Sequence, residues 1–277
     1  MIFARDKSQM CNNLLQFAHV YAWGRKHGQR VISMRFSYKY PYFKIQKTRY
    51  TGFFWYLFAK YAAALKLLHT VSFRRADHWE EKVRYMETHR HFVVSGWFAR
   101  FYNEFLEYRS EICDLFQLRD EFAEPLRKRM EDALSGKSTD TIRLGLHIRR
   151  GDYKDFYGGK FFYDDATYAD YVLEYSRQHA TKDIVVFISS NDHAVSASHF
   201  ETLCQRCQSR IKFVVMPENN PAQDLAMLSE CDAIIGPPST FSLTASMYHD
   251  IPLCWMEEGS PANMRFDKFE NHFKNIR

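Results

Sequence analysis

The chain lacks the features that would settle its class at once. Its N-terminus has no basic-then-apolar leader pattern. Its most hydrophobic stretch, residues 52–68, is interrupted by Lys60 and Lys66 and falls short of the ~20 residues that a spanning helix needs. Six cysteines (Cys11, Cys113, Cys204, Cys207, Cys231 and Cys254) are too scattered for a disulfide framework. Only Cys204 and Cys207 have CxxC spacing, and neither a second pair nor a nearby histidine completes a zinc set. That pair reads as late in a helix, where a thioredoxin-like site would want a strand end. A reduced, cytosolic chain without a metal is the simpler account. The net charge of +5 suits an anionic small ligand or an acidic membrane surface, while the long basic stripes of nucleic-acid binders are missing. Repeats and low-complexity tracts are also missing.

What is present is 277 residues, enough for one large domain or two ordinary ones, with 46% apolar and 26% charged residues. Aromatics are abundant at 17%, and they concentrate in the first 110 residues. The 52–68 stretch reads as a buried core helix, or as a helix lying on a membrane surface with its lysines outward. Interleaved aromatic and basic residues over 38–61 would also suit stacking on nucleic acid, but no compact recognition motif accompanies them.

Residues 11–27 read as a helix with Leu14, Leu15, Ala18 and Tyr21 on one face and Gly28 as its stop. Residues 29–36 read as a strand. Residues 37–110 have no clear period, and 114–134 read as helical. Ser135-Gly136-Lys137-Ser138 is the best linker, giving domains 1–136 and 137–277. Thereafter strands at 142–148, 183–189, 211–216, 233–236 and 251–256 alternate with helices at 168–179, 193–207, 221–231 and 240–248. This alternation predicts an α/β fold with a doubly wound parallel sheet, whose ligands bind beyond the carboxyl ends of the strands.

Three segments there carry chemistry. His147-Ile148-Arg149-Arg150-Gly151-Asp152-Tyr153 ends the 142–148 strand. Strand alternation puts His147 and Arg149 on one face and Arg150 on the other. Such a segment is either a guanidinium clamp for a diphosphate or a charged strand end whose arginines pair with Asp152 and Asp155. Gly236-Pro237-Pro238-Ser239-Thr240-Phe241-Ser242 opens a helix. Hydroxyls at such a start serve an anion site, although an ordinary N-cap is the simpler reading of that turn alone. Asp224, in a first helical turn, either complements the helix dipole or accepts two N–H bonds from a guanine edge.

The 147–153 run resembles the HxRRGDY signature of the α-1,2-fucosyltransferase family, glycosyltransferase family 11, with similar runs in α-1,6- and O-fucosyltransferases. The 224–236 segment followed by Pro237-Pro238-Ser239-Thr240-Phe241-Ser242 resembles that family's later motif. Ile188-Ser189-Ser190-Asn191-Asp192 is similar to its intermediate one, and Asn12-Asn13-Leu14-Leu15-Gln16-Phe17-Ala18 looks like its N-terminal segment. Four blocks in matching order span almost the whole chain.

The resemblance implies a GT-B-like fold, two Rossmann-like domains facing a cleft, with residues 1–136 on the acceptor side. It implies an inverting glycosyltransferase that moves fucose from GDP-fucose to a hydroxyl of an acceptor glycan, without a metal or other cofactor. Arg149 would hold the donor's β-phosphate and carry the catalysis. His147 and Asp224 would contact the guanine and its surroundings, and Ser239, Thr240, Phe241 and Ser242 the diphosphate. Asn12 would lie beside the phosphates. Asp152 and Asp192 are candidate bases. The expected partners are therefore a nucleotide-sugar donor and an acceptor glycan, with no nucleic acid. The expected location is cytoplasmic, with peripheral contact to the inner membrane surface left open. Two departures favour an alternative, a non-catalytic nucleotide- or glycan-binding relative. The family's glycines are replaced by Lys7-Ser8-Gln9-Met10-Cys11, and its tryptophans after the Ser-Phe-Ser turn by Leu243-Thr244.

Overall fold

A computed structural model describes residues 1–5, 8–75, 78–204, 210–257 and 261–276. They form two compact units, Met1–Arg119 and Asp120–Arg277.

The first unit contains β1 (Ile2–Arg5), α1 (Met10–Lys26), β2 (Val31–Ser33), α2 (Phe53–Ala64), β3 (Thr70–Ser72), α3 (Trp79–Thr88), β4 (Phe92–Ser95), α4 (Tyr102–Glu107) and α5 (Arg109–Leu115). Its sheet is parallel in the order β2-β1-β4-β3. Helix α1 starts and stops where the sequence predicts, with Gly28 at φ +63° just beyond it. It is buried almost all round, from Met10 to Gly24 apart from Asn12. The expected 29–36 strand shortens to three residues. Of the aromatics of the 38–61 segment Phe43 is core: with Phe36, just before the segment, it is buried and packs edge-on against Phe116.

The core-helix expectation for residues 52–68 needs correction. Helix α2 seats Trp55, Tyr56, Ala59 and Ala63 on Phe3, Ile32, Met34 and Val93 of the sheet, but its opposite side is exposed. Phe54 and Leu65 are each 70% accessible. The physical reason is that a helix apolar on every side has more greasy surface than one sheet face can cover.

The second unit contains α6 (Asp120–Leu134), β5 (Ile142–Ile148), α7 (Asp165–Gln178), β6 (Ile184–Ser190), α8 (Ala197–Leu203), β7 (Ile211–Val215), α9 (Pro221–Ser229), β8 (Ala233–Gly236), α10 (Thr240–His249), β9 (Leu253–Trp255) and α11 (Phe269–Phe273). The expected 114–134 helix is two helices, broken at residues 116–119, where Leu118 bridges Phe43. Helix α6 belongs with the second unit, so the linker at 135–138 is a loop inside it. Cys204 follows α8, and Cys207 lies outside the described residues.

This sheet is all parallel in the order β7-β6-β5-β8-β9. Alternation along each strand builds two layers. Leu144, Leu146 and Ile148 of β5 join Ile184, Val186 and Ile188 of β6 in a core with Tyr168, Val172 and Phe200 of α7 and α8. Each such fully buried side chain contributes about 1.5–3 kcal/mol. The other face packs on α9 and α10, where the capping box of Asn220 and Gln223, with Pro221 at the first turn, fixes the start of α9. The winding reverses between β5 and β8, so the carboxyl ends of those two strands form the crevice where open α/β sheets receive ligands.

Candidate active site in the second unit

Two of the loaded loops leave the sheet at that crevice. β5 ends at Ile148 and β8 at Gly236. The strands come so close here that a Cβ on Gly236 would sit 2.9 Å from both Cβ and the carbonyl oxygen of His147. Glycine is therefore required for β8 to lie against the His147 segment.

The arginine pair divides as strand alternation predicts. Arg150 turns to the α7 face, where it bonds the Tyr163 carbonyl and the Asp165 carboxylate and lies 5.6 Å from the Tyr168 ring centroid. Its partner is thus Asp165 and not the expected Asp155. Arg149 turns the other way with His147. Its guanidinium pairs with Asp152 at 2.9 Å and lies 5.5 Å from the Tyr153 ring centroid, while its Nε is buried without an acceptor among the described residues. Gly151, at φ +61°, makes the turn, and Asn191 at the end of β6 holds it. The Asn191 side chain accepts from Arg150 N at 2.7 Å and donates to the Arg150 carbonyl at 3.3 Å.

Tyr153 ties the two loops together. Its hydroxyl donates to the Pro238 carbonyl at 2.6 Å, and Ser239 also bonds it. The Arg149 guanidinium, the Tyr153 ring and the start of α10 are therefore consecutive neighbours. On the same face the His147 ring stacks on Phe241, centroids 5.0 Å apart. His147 is buried with no partner for Nδ1 among the described residues, and burial, aided by the Arg149 charge, lowers its pKa to about 3. The ring is neutral at ordinary pH, and its unsatisfied nitrogen costs about 1–3 kcal/mol until something bonds it.

The α10 start divides its labour. Ser239 is the N-cap, accepting from Phe241 N at 3.2 Å. Ser242 is fully buried, with its hydroxyl donating to the Ser239 carbonyl at 3.2 Å. The cap reading is realised, and the Ser242 hydroxyl shapes the turn. The turn's value to an anion lies in its backbone N–H groups and helix dipole. Leu243 and Thr244, at the positions of the missing tryptophans, are buried within the helix.

Asp224 lies on this same face, one strand over. Across the sheet His147 pairs in register with Ser189, whose hydroxyl donates to Asp224 at 3.2 Å. Asn219 Nδ2 donates to the other carboxylate oxygen at 3.0 Å, its amide oriented by Arg129 at 2.6 Å. Burial outweighs both bonds and raises the Asp224 pKa to about 6 from 3.8. Ionising it in place thus costs about 3 kcal/mol more than in water, so it suits a ligand that brings N–H donors.

Of the candidate bases, Asp152 is committed to Arg149, and Asp192 accepts from Ala194 N at 2.9 Å in a local turn. Asn12 belongs to the first unit, in the first turn of α1 after β1, where its amide donates to Ser8 Oγ at 2.8 Å. Ser8, at a position where the family's N-terminal segment is glycine-rich, carries φ +150°, a value that L residues rarely adopt. The residues that sequence reasoning missed are Tyr153, Asn191, Asn219 and Arg129. The first two lie within the 147–153 and 188–192 motifs, and nothing in the local sequence marks Arg129. No group of three or more His, Cys, Asp or Glu able to hold a metal occurs among the described residues.

Two parallel-sheet α/β units, one carrying a guanidinium and a helix start at its switch point, define a GT-B-like protein. Solved structures share the architecture. The NodZ α-1,6-fucosyltransferase soaked with GDP-fucose matches with a TM-score of 0.55 and 12% identity, over 96% of this chain and 98% of that one. NodZ from Bradyrhizobium gives 0.53 and 13% over the same shares. POFUT1 in complex with GDP gives 0.58 and 12%, over 91% of this chain and 96% of that one. At such identity the likeness speaks for the fold alone. The profile of glycosyl transferase family 11 matches residues 60–250, and the chain belongs to that family, as its motifs had suggested. No curated protein matches it significantly.

Proposed function

We propose that this chain is an inverting fucosyltransferase that moves fucose from GDP-fucose to a hydroxyl of an acceptor glycan, in an α-1,2-type linkage. The observation that carries this reading is the Tyr153 bridge, which keeps the Arg149 loop and the Ser239 helix start side by side. The acceptor oxygen attacks the sugar's anomeric carbon, the carbon–oxygen bond to the β-phosphate breaks, and the acceptor proton passes to a base. Negative charge grows on the departing diphosphate. Arg149 and the first-turn N–H groups of Thr240 and Ser242 receive it, with Ser239 holding that turn in shape through the Phe241 N–H. In this reading these groups supply the neutralisation, and a metal is not required. Arg149 must then exchange its Asp152 partner for phosphate, which leaves the Asp152 carboxylate beside the reacting centre as the first base to test. His147 and Asp224 take the guanine side, Asp224 accepting from the base's N–H edge. The protein works in the cytoplasm, consistent with its scattered cysteines. No described helix is long and apolar enough to cross a membrane.

NMR of the product formed from GDP-fucose on a panel of galactosides tests the reading. A 2-linked α-fucoside is expected, with no product when the acceptor 2-hydroxyl is methylated. A product linked elsewhere would refute the linkage. Calorimetric GDP binding without turnover across the panel would favour the binding-protein alternative, for which the buried Leu243 and Thr244 speak.

A further inference from the structure

The exposed side of α2 is ordered, not scattered. Phe54, Phe58, Tyr61 and Leu65 are spaced four, three and four residues apart, so they form one stripe along the helix. The stripe is about 16 Å long from the rise per residue. Leu67, 76% accessible, continues it beyond the helix, and Phe53 flanks it. The opposite side is seated on Phe3 and Val93, and Phe58, 46% accessible, stands at the border with its ring centroid 6.0 Å from that of Phe3. A contiguous patch of this kind on a soluble unit marks an interaction surface.

Charge identifies the occupant. Residues 8–76 contain twelve lysines and arginines and not one aspartate or glutamate. Lys60 lies beside the stripe with its ammonium 5.5 Å from the Tyr61 ring centroid, and Lys66 follows the helix. Both are exposed, and neither makes an ion pair among the described residues. A second copy laid on this face would bring two acid-free basic segments together, which like charges oppose. An anionic lipid surface meets both demands: phosphates for the lysines, and an interfacial layer about 5–10 Å deep for the rings and leucines.

We infer that the α2 stripe with Lys60 and Lys66 is a docking face for an anionic membrane surface, on which the helix lies flat. The inference is independent of the donor or linkage proposed above. Co-sedimentation of the full chain with vesicles of phosphatidylglycerol and phosphatidylcholine tests it, with pure phosphatidylcholine vesicles for comparison. Binding to the anionic vesicles is expected, weakening at 0.5 M salt, with binding to the neutral ones at least tenfold weaker. Phe54→Ser/Phe58→Ser should lower binding at least tenfold with the far-UV circular dichroism unchanged. Lys60→Glu/Lys66→Glu, which keeps the stripe, should also lower it at least tenfold at low salt. Brominated lipid should quench tryptophan fluorescence of the wild-type chain. Absence of binding to anionic vesicles, or binding indifferent to either double variant, would overturn the inference. So would a dimer in sedimentation velocity that Phe54→Ser/Phe58→Ser dissociates, because a second copy would then cover the face.

Discussion

Holding Asp224 at a pKa of about 6 makes donor affinity depend on pH in a calculable way. If the guanine edge bonds the ionised carboxylate, only the ionised fraction of the free protein is competent to bind. That fraction is about ten-elevenths at pH 7 and one-eleventh at pH 5, so the dissociation constant should rise about tenfold, or about 1.4 kcal/mol. The donor itself must not titrate in this window. A terminal phosphate monoester would, near 6, whereas each phosphate of GDP-fucose is doubly substituted, by one ester and one anhydride bond, and keeps only a strongly acidic oxygen. His147, held at about 3, stays neutral throughout. Isothermal titration with GDP-fucose at pH 5, 6 and 7 measures the slope, and proton release on binding near pH 6 should accompany it. Asp224→Asn should bind more weakly at pH 7 and lose the slope. A wild-type affinity flat from pH 5 to 7, or a slope that persists in Asp224→Asn, would refute the assignment.

The same two groups oppose each other in stability. His147, with its folded pKa depressed, gives stability that is present above pH 6.5 and lost as pH falls towards 3, about 2 kcal/mol of it between pH 7 and 5. Asp224, with its folded pKa raised, gains about 1.3 kcal/mol over that interval. Asp224→Asn should therefore steepen the acid loss measured by urea denaturation, and a profile unchanged by the substitution would contradict the Asp224 shift. Gly236→Ala should cost about 1–3 kcal/mol by forcing β8 off the His147 segment. A melting temperature equal to the wild type's would show that the contact relaxes freely. Tyr153→Phe should lose about 1 kcal/mol and weaken GDP binding with it. Stability lost without any change in GDP affinity would deny the bridge its role at the site.

Much of the second unit was legible because its strands are long enough to declare a period. β5 and β8 fall on the residues expected, and the opposite pointing of Arg149 and Arg150 follows from alternation alone. The first unit was not. Its strands are three or four residues long, too short for a period of two to stand out. Helix α1 is buried nearly all round, and α2 is apolar even where it meets solvent. Within the site, the exchange of Asp155 for Asp165 and the clamp by Asn191 depend on the turn at Gly151, whose positive φ no local pattern encodes. The Asp224 environment depends on Arg129, almost a hundred residues away in sequence, orienting Asn219. Local reading reached the residue but not its shifted acidity.

The central claim is that a guanidinium and a helix start meet one pyrophosphate as charge develops on it. Single-turnover transfer from GDP-fucose by Arg149→Ala, beside a thermal melt of the same preparation, tests it most directly. The melt should stay near the wild type's, and the chemical step should slow by about 10²–10³ or more. A variant that folds and transfers fucose at close to the wild-type rate would contradict it.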